Sequence, residues 1–154
     1  MDSEHLGREA AAPPAERTPF PGLRLWPLPA CGDPSFPVFH EYFEVVYGPL
    51  IGPSSFLLAR TLARHIAQAG GPVTVCPVEL AREVGLRASG DAPIGKSSHL
   101  AKSLQRLAHH RLLERQGTGI IAVSMDVPPL SVAVLSRLPA TARQVHRTYL
   151  GGVN

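Results

Sequence analysis

Pro77-Val78-Glu79-Leu80-Ala81-Arg82-Glu83-Val84-Gly85-Leu86 leads, through a loop with Gly90, Pro93 and Gly95, to the segment Ser97 to His110. Leu112-Leu113-Glu114-Arg115-Gln116 follows and turns at Gly117-Thr118-Gly119 into Ile120-Ile121-Ala122-Val123. The order is helix, loop, basic helix, two-stranded hairpin. Pro77 suits the first position of the first helix, Glu79 sits near its positive end, and Gly85 ends it. Leu80, Ala81 and Val84 are expected to face the core. The second helix is expected from about Ser97 to His110, capped by Ser97 or Ser98. Leu100, Leu104, Leu107 and Ala108 form its apolar stripe, with His99, Lys102, Ser103, Arg106 and His110 mainly opposite. The Gly-Thr-Gly turn between two β-prone runs predicts the hairpin.

Upstream, Gly52-Pro53-Ser54-Ser55 predicts a helix start with Ser54 or Ser55 as the cap. Leu58, Leu62 and Ile66, with Ala59, Ala63 and Ala69, repeat at helical spacing, while Arg60, Arg64 and Gln68 lie outside. Gly70-Gly71-Pro72 stops the helix, and Val73-Thr74-Val75 reads as a short strand. Tyr42-Phe43-Glu44-Val45-Val46-Tyr47 is β-rich and halted by Gly48-Pro49, which fits a short strand or the turn of a small helix. Past Pro128-Pro129, two short helices are expected at Leu130–Leu138 and Thr141–Leu150, split by Pro139, with Leu135, Leu138, Val145 and Tyr149 inward.

Residues 1–39 hold eight of the sixteen prolines and read as a tail, disordered at least to about residue 20. Within it, Leu23, Leu25, Trp26, Leu28 and Phe36 form an apolar cluster suited to an extended strap on the protein's own core or to a partner. The division expected is 1–39 as tail, 40–125 as folded domain and 126–154 as a helical extension packed on it. Segments 54–69 and 140–150 are each suited to packing the domain or forming a homodimer interface.

The net charge of the 154-residue chain is only +3, but it is unevenly placed. Residues 1–39 carry three Arg against five acids, a balance of −2. Residues 96–115 carry Lys96, Lys102, Arg106, Arg111 and Arg115 against Glu114, a balance of +4. Positive charge thus gathers on the second helix and the hairpin, where a polyanion would need it. Cys31 and Cys76 fit no disulfide framework or metal spacing. The acidic N-terminus resembles no signal peptide and no apolar run reaches a membrane span, so a cytoplasmic protein is expected.

Residues 54–125, about half of the chain, resemble the winged helix-turn-helix superfamily of bacterial DNA-binding proteins. Leu80-Ala81-Arg82-Glu83-Val84-Gly85-Leu86 is similar to that superfamily's first helix-turn-helix helix. Leu104-Gln105-Arg106-Leu107 and Leu112-Leu113-Glu114-Arg115 resemble a recognition helix running into a wing strand. The resemblance implies a winged helix-turn-helix, mainly α with a small β-hairpin (α+β), to which the flanking segments add extra C-terminal helices and a disordered N-terminal tail. It also implies a non-catalytic duplex-DNA-binding protein, a transcriptional regulator without a cofactor. In it, helix 97–110 would enter the major groove and wing 112–123 would follow the backbone. The residues expected at DNA are Lys96, Ser97, Ser98, His99, Lys102, Ser103, Arg106, Arg115 and Thr118. Two features depart from the pattern. The loop 87–96 exceeds the usual turn of about three or four residues, and Arg111 stands where Gly is common.

Two other readings compete. A winged scaffold can serve as a protein-interaction module, with Leu23–Phe36 or Tyr42–Tyr47 as the docking segment. Gly90-Asp91-Ala92-Pro93-Ile94-Gly95-Lys96-Ser97 also satisfies the P-loop pattern of nucleotide-binding proteins. Its context argues against a nucleotide site. It follows a predicted helix instead of a buried strand, and Pro93 removes a backbone donor from the would-be phosphate cradle. His65, His109, His110 and His146 lack ligand spacing, so no metal is expected. No carboxylate pair or activated serine points to catalysis.

Overall fold

The computed structural model describes residues 22–29, 32–87 and 98–151. It is a mixed α/β structure with a larger sheet than the expected hairpin. The strands are β1 (Leu23–Pro27), β2 (Phe36–Pro37), β3 (Val73–Val75), β4 (Leu113–Gly117), β5 (Ile120–Val123) and β6 (Asp126–Val127). The helices are α1 (Gly48–Ile51), α2 (Pro53–Ala69), α3 (Pro77–Glu83), α4 (His99–His109), α5 (Val132–Leu135) and α6 (Ala140–Leu150). A π-helical turn, Phe43–Tyr47, leads into α1.

Four strands form one sheet in the order β3-β1-β5-β4, and β2 pairs with β6 apart from it. The strand β1 comes from the apolar cluster of the Pro-rich segment. It runs antiparallel to β3, with Leu25 opposite Val73, and parallel to β5, with Leu25 opposite Ile121. Its Arg24 N–H donates to the Gly119 carbonyl at 2.8 Å, and the Leu28 N–H just beyond it to the Val123 carbonyl at 2.8 Å. Alternation explains the burial: Leu25 is fully buried, while Arg24 and Trp26 point outward with the guanidinium over the indole. Gly22 lets β1 lie close to β3, because a Cβ there would meet Thr74 Cγ2 at 2.6 Å and the Val75 carbonyl oxygen at 2.8 Å. Residues on both sides of the expected boundary at 39–40 therefore share one sheet. The N-terminal residues 1–20 and the loop residues 88–96 lie outside the described residues.

The helix α2 packs its Leu58, Leu62, Ala59, Ala63 and Ile66 face on the sheet and against α4, as its spacing predicts; Ala69 is exposed. Its cap differs from the expectation. Gly52 is the N-cap and Pro53 the first helical residue, with no side chain bonded to the helix end. Ser54 and Ser55 sit one step inside, because proline's fixed φ and missing donor favour the first position. Arg60 does not simply face solvent: it stacks on Phe56 and donates to the Val38 carbonyl (2.9 Å) and Glu44 (3.3 Å).

The run Tyr42–Tyr47 is a helical turn, not a strand. Its last bond runs from the Gly48 N–H to the Phe43 carbonyl, a reach of five residues. That register stacks Phe43 on Tyr47 and leaves Tyr42, Phe43, Val46 and Tyr47 buried. Tyr42 ties three elements together. Its oxygen accepts the Leu130 N–H (3.1 Å), its hydroxyl meets His146 Nδ1 (2.8 Å), and its ring stacks on Phe36. Of the four C-terminal residues expected inward, Leu135 and Leu138 are buried and Val145 is half-buried. Tyr149 is 40% exposed, its ring edge-on to Phe36 and His40 and its hydroxyl donating to Glu41. The face of α6 that carries Ala142 and His146 closes over the π-turn.

Three helices end with the same backbone device. The N–H two residues past the turn reaches back five residues: Gly71 to Ile66, Leu86 to Ala81, and Leu112 to Leu107. The residue before each donor has positive φ: Gly70 (72°), Gly85 (71°) and Arg111 (59°). Arg111 is the one non-glycine residue with positive φ among the described residues.

Candidate nucleic-acid interface

The helix α4 starts where Ser98 Oγ accepts the Ala101 N–H at 3.1 Å. Of the two caps expected, Ser98 is the one observed; Ser97 and Lys96 lie outside the described residues. Leu100, Ala101, Leu104 and Leu107 are buried. His99, Lys102, Gln105, Arg106 and His109 are exposed, and the helix has no acidic residue. Their spacing of three or four residues places them along one side. Gln105 and His109 complete that side although sequence reading did not single them out. Their spacing from Lys102 and Arg106 was the available signal.

The expected residues do not all sit alike. Ser103 is 7% exposed, because α4 packs on α2 as well as through its leucine stripe. The Ser98 hydroxyl is taken up by its own helix. Arg106 lies over Gly52, where a Cβ would come within 3.1 Å of its guanidinium, and it donates to the Ile51 carbonyl at 3.4 Å. His110 is half-buried instead of outward. It lines a cavity of about 340 Å³ with Tyr47, Leu50, Leu130 and Leu138. Burial holds its pKa below the ordinary histidine value, and His109 and Arg106 add to the effect.

The β4–β5 hairpin carries Glu114, Arg115, Gln116 and Thr118 on its exposed surface. An irregularity in register between Arg115 and Gly117 twists the strand ahead of the tip. The exposed Arg111 sits where α4 passes into this hairpin. Arg106, Arg111 and Arg115 therefore mark a path from helix to hairpin.

A second cavity, of about 170 Å³, opens between the start of α2 and the N-terminal half of α4. His99, Lys102, Ser103 and Arg106 line it from α4, and Ser54 and Ser55 from α2.

Of the two segments considered for protein docking, Tyr42–Tyr47 lies largely in the protein's own core, whereas Leu23–Phe36 buries Leu25 and Phe36 and leaves Trp26 exposed. Tyr42, Phe43, Val46 and Tyr47 are at most 3% exposed, and Leu25 is enclosed within the sheet. The P-loop-like string 90–97 lies outside the described residues, and the element before it is the helix α3. Among the described residues, no three His, Cys, Asp or Glu side chains converge where a metal ion could be held. No helix among them is long and apolar enough to cross a membrane. Comparison with protein-family models, with curated proteins and with solved structures gives no match.

Proposed function

We propose that this chain is a winged-helix protein that binds duplex DNA without catalysis and acts as a transcriptional regulator. The supporting observation is the exposed side of α4. It presents His99, Lys102, Gln105, Arg106 and His109 with no carboxylate, next to a hairpin carrying Arg115 and Thr118. The order α2, β3, α3, α4, β4, β5 is the helix–strand–helix–helix–hairpin order of a winged helix. In this reading α4 enters the major groove, where Lys102 or Arg106 meets guanine acceptors and Gln105 suits adenine. Arg111, Arg115 and Thr118 follow the phosphate backbone. Arg106 would exchange its 3.4 Å contact to Ile51 for a base or a phosphate.

The reading is tested by fluorescence anisotropy with a labelled random-sequence duplex at low salt. Replacing Lys102 and Arg115 with Ala should weaken binding and flatten its salt dependence, since each lost phosphate contact reduces the log–log slope by about one. A double variant with unchanged affinity and slope would remove α4 and the hairpin from the interface.

A further inference from the structure

The start of α2 has donors that no described residue uses. Gly52, the N-cap, has positive φ and no side chain caps the helix. Pro53 has no N–H, and the first closing bond is from the Phe56 N–H to the Gly52 carbonyl at 2.9 Å. The N–H groups of Ser54 and Ser55 donate to no described residue. They stand at the positive end of a seventeen-residue helix.

Two hydroxyls at the same place also have no partner among the described residues. Ser55 is 2% exposed and Ser103 is 7% exposed. Neither side chain makes a hydrogen bond with a described residue, and their oxygens keep access to the space beside them, since no sealed side-chain oxygen among the described residues lacks a partner. Both line the cavity of about 170 Å³ between α2 and α4. Lys102 and Arg106 bring positive charge to it, and no carboxylate lines it among the described residues. Free backbone donors, unpartnered hydroxyls and two cations are all complementary to one kind of ligand, a tetrahedral oxyanion.

We infer that this cavity is a binding site for a phosphate group. The Ser54 and Ser55 N–H groups and the hydroxyls of Ser55 and Ser103 hold its oxygens, and Lys102 and Arg106 balance its charge. A DNA backbone phosphate and the phosphate of a free small molecule offer the same chemistry. The cavity binds the anion whether or not a duplex engages α4.

The test is a titration of the isotopically labelled full-length protein with inorganic phosphate, followed by amide NMR against sodium chloride at matched ionic strength. Saturable shifts at the Ser54 and Ser55 amides are expected. Ser55→Ala and Lys102→Ala should each weaken phosphate binding about tenfold, the usual size of losing one hydrogen bond to a charged group. Ser55→Ala removes only an oxygen, and Lys102 is exposed, so at least one variant keeps the fold. No saturable shift at these amides, or equal affinity in folded variants, would overturn the site. A duplex titration separates the two sources. Displacement of phosphate by duplex, with weaker duplex binding by Ser55→Ala, identifies a backbone phosphate. Undisturbed phosphate binding beside bound duplex identifies a free phosphorylated ligand. Phosphate binding by a protein that ignores duplex upholds the cavity and removes only the DNA reading.

Discussion

Replacing Leu25 with Ala tests whether the Pro-rich N-terminal region is part of the fold. Leu25 is fully buried, on a strand paired on one side to β3 and on the other to β5. Truncating a fully enclosed leucine removes its transfer free energy and leaves a cavity, together about 2–5 kcal/mol. The position is held on both sides by backbone pairing, which limits collapse into the void, so the upper half of that range is expected. A domain of this size is stable by only about 5–15 kcal/mol, so the change consumes a large part of the total. The assay is urea denaturation followed by two probes. Trp26, the only tryptophan, lies on β1 itself and reports the strand by fluorescence. Far-UV circular dichroism reports mainly the helices. The expected result is a large loss of stability with both probes moving together, since β1 is central to the sheet. A loss below about 1 kcal/mol, or a Trp26 transition well ahead of the helical one, would show that β1 is only draped on the domain.

Three further outcomes are expected. Tyr42→Phe should cost about 1 kcal/mol in urea denaturation, because it removes the partner of the half-buried Leu130 N–H and of the His146 ring nitrogen; a neutral result would break the proposed tie between the π-turn and α6. Arg111→Gly should raise stability by roughly 0.5–1 kcal/mol, since glycine pays no penalty for positive φ but loses more chain entropy; a lower urea midpoint would contradict it. Burial depresses the pKa of both His146 and His110, so the unfolded chain takes up their protons first. Their stabilising contribution is present above the unfolded histidine value of about 6.5 and is lost as pH falls through the lower folded values. The urea midpoint should fall between pH 7.5 and 5, and fall less in His146→Asn; a midpoint that rises toward pH 5 in this pair of proteins would reverse the sign.

The sequence was most readable where structure is local. The stripes Leu80, Ala81, Val84 and Leu100, Leu104, Leu107 fixed α3 and α4, and the Gly117–Gly119 turn fixed the hairpin. The strand β1 was harder to see. Leu23-Arg24-Leu25-Trp26 alternates as a strand should, but it is short, flanked by prolines and paired with segments about 50 and 100 residues away. No local signal reveals a partner that distant. The β-prone Tyr42–Tyr47 run became a π-turn because packing Phe43 and Tyr47 into the core outweighs intrinsic preference. At the candidate site, residue types marked the exposed side of α4 correctly for His99, Lys102 and Arg106. Ser103 was misplaced because α4 has two neighbours, so its buried arc is wider than one leucine stripe. The open donors of Ser54 and Ser55 were hidden behind the reading of those serines as caps, and only the position of Pro53 shows that the helix starts a step earlier.

The most direct test of the central claim is the salt dependence of affinity for a random-sequence duplex. In the proposed complex Arg111 and Arg115 would neutralise two phosphates, and Lys102 and Arg106 up to two more where they do not meet bases, so log affinity should fall against log salt with a slope of about −2 to −3.6. Measurable binding at low salt with that slope is the predicted result. A protein that binds no duplex at low salt, or binds with a slope near zero, would contradict the proposal that α4 and its hairpin form a DNA-binding surface.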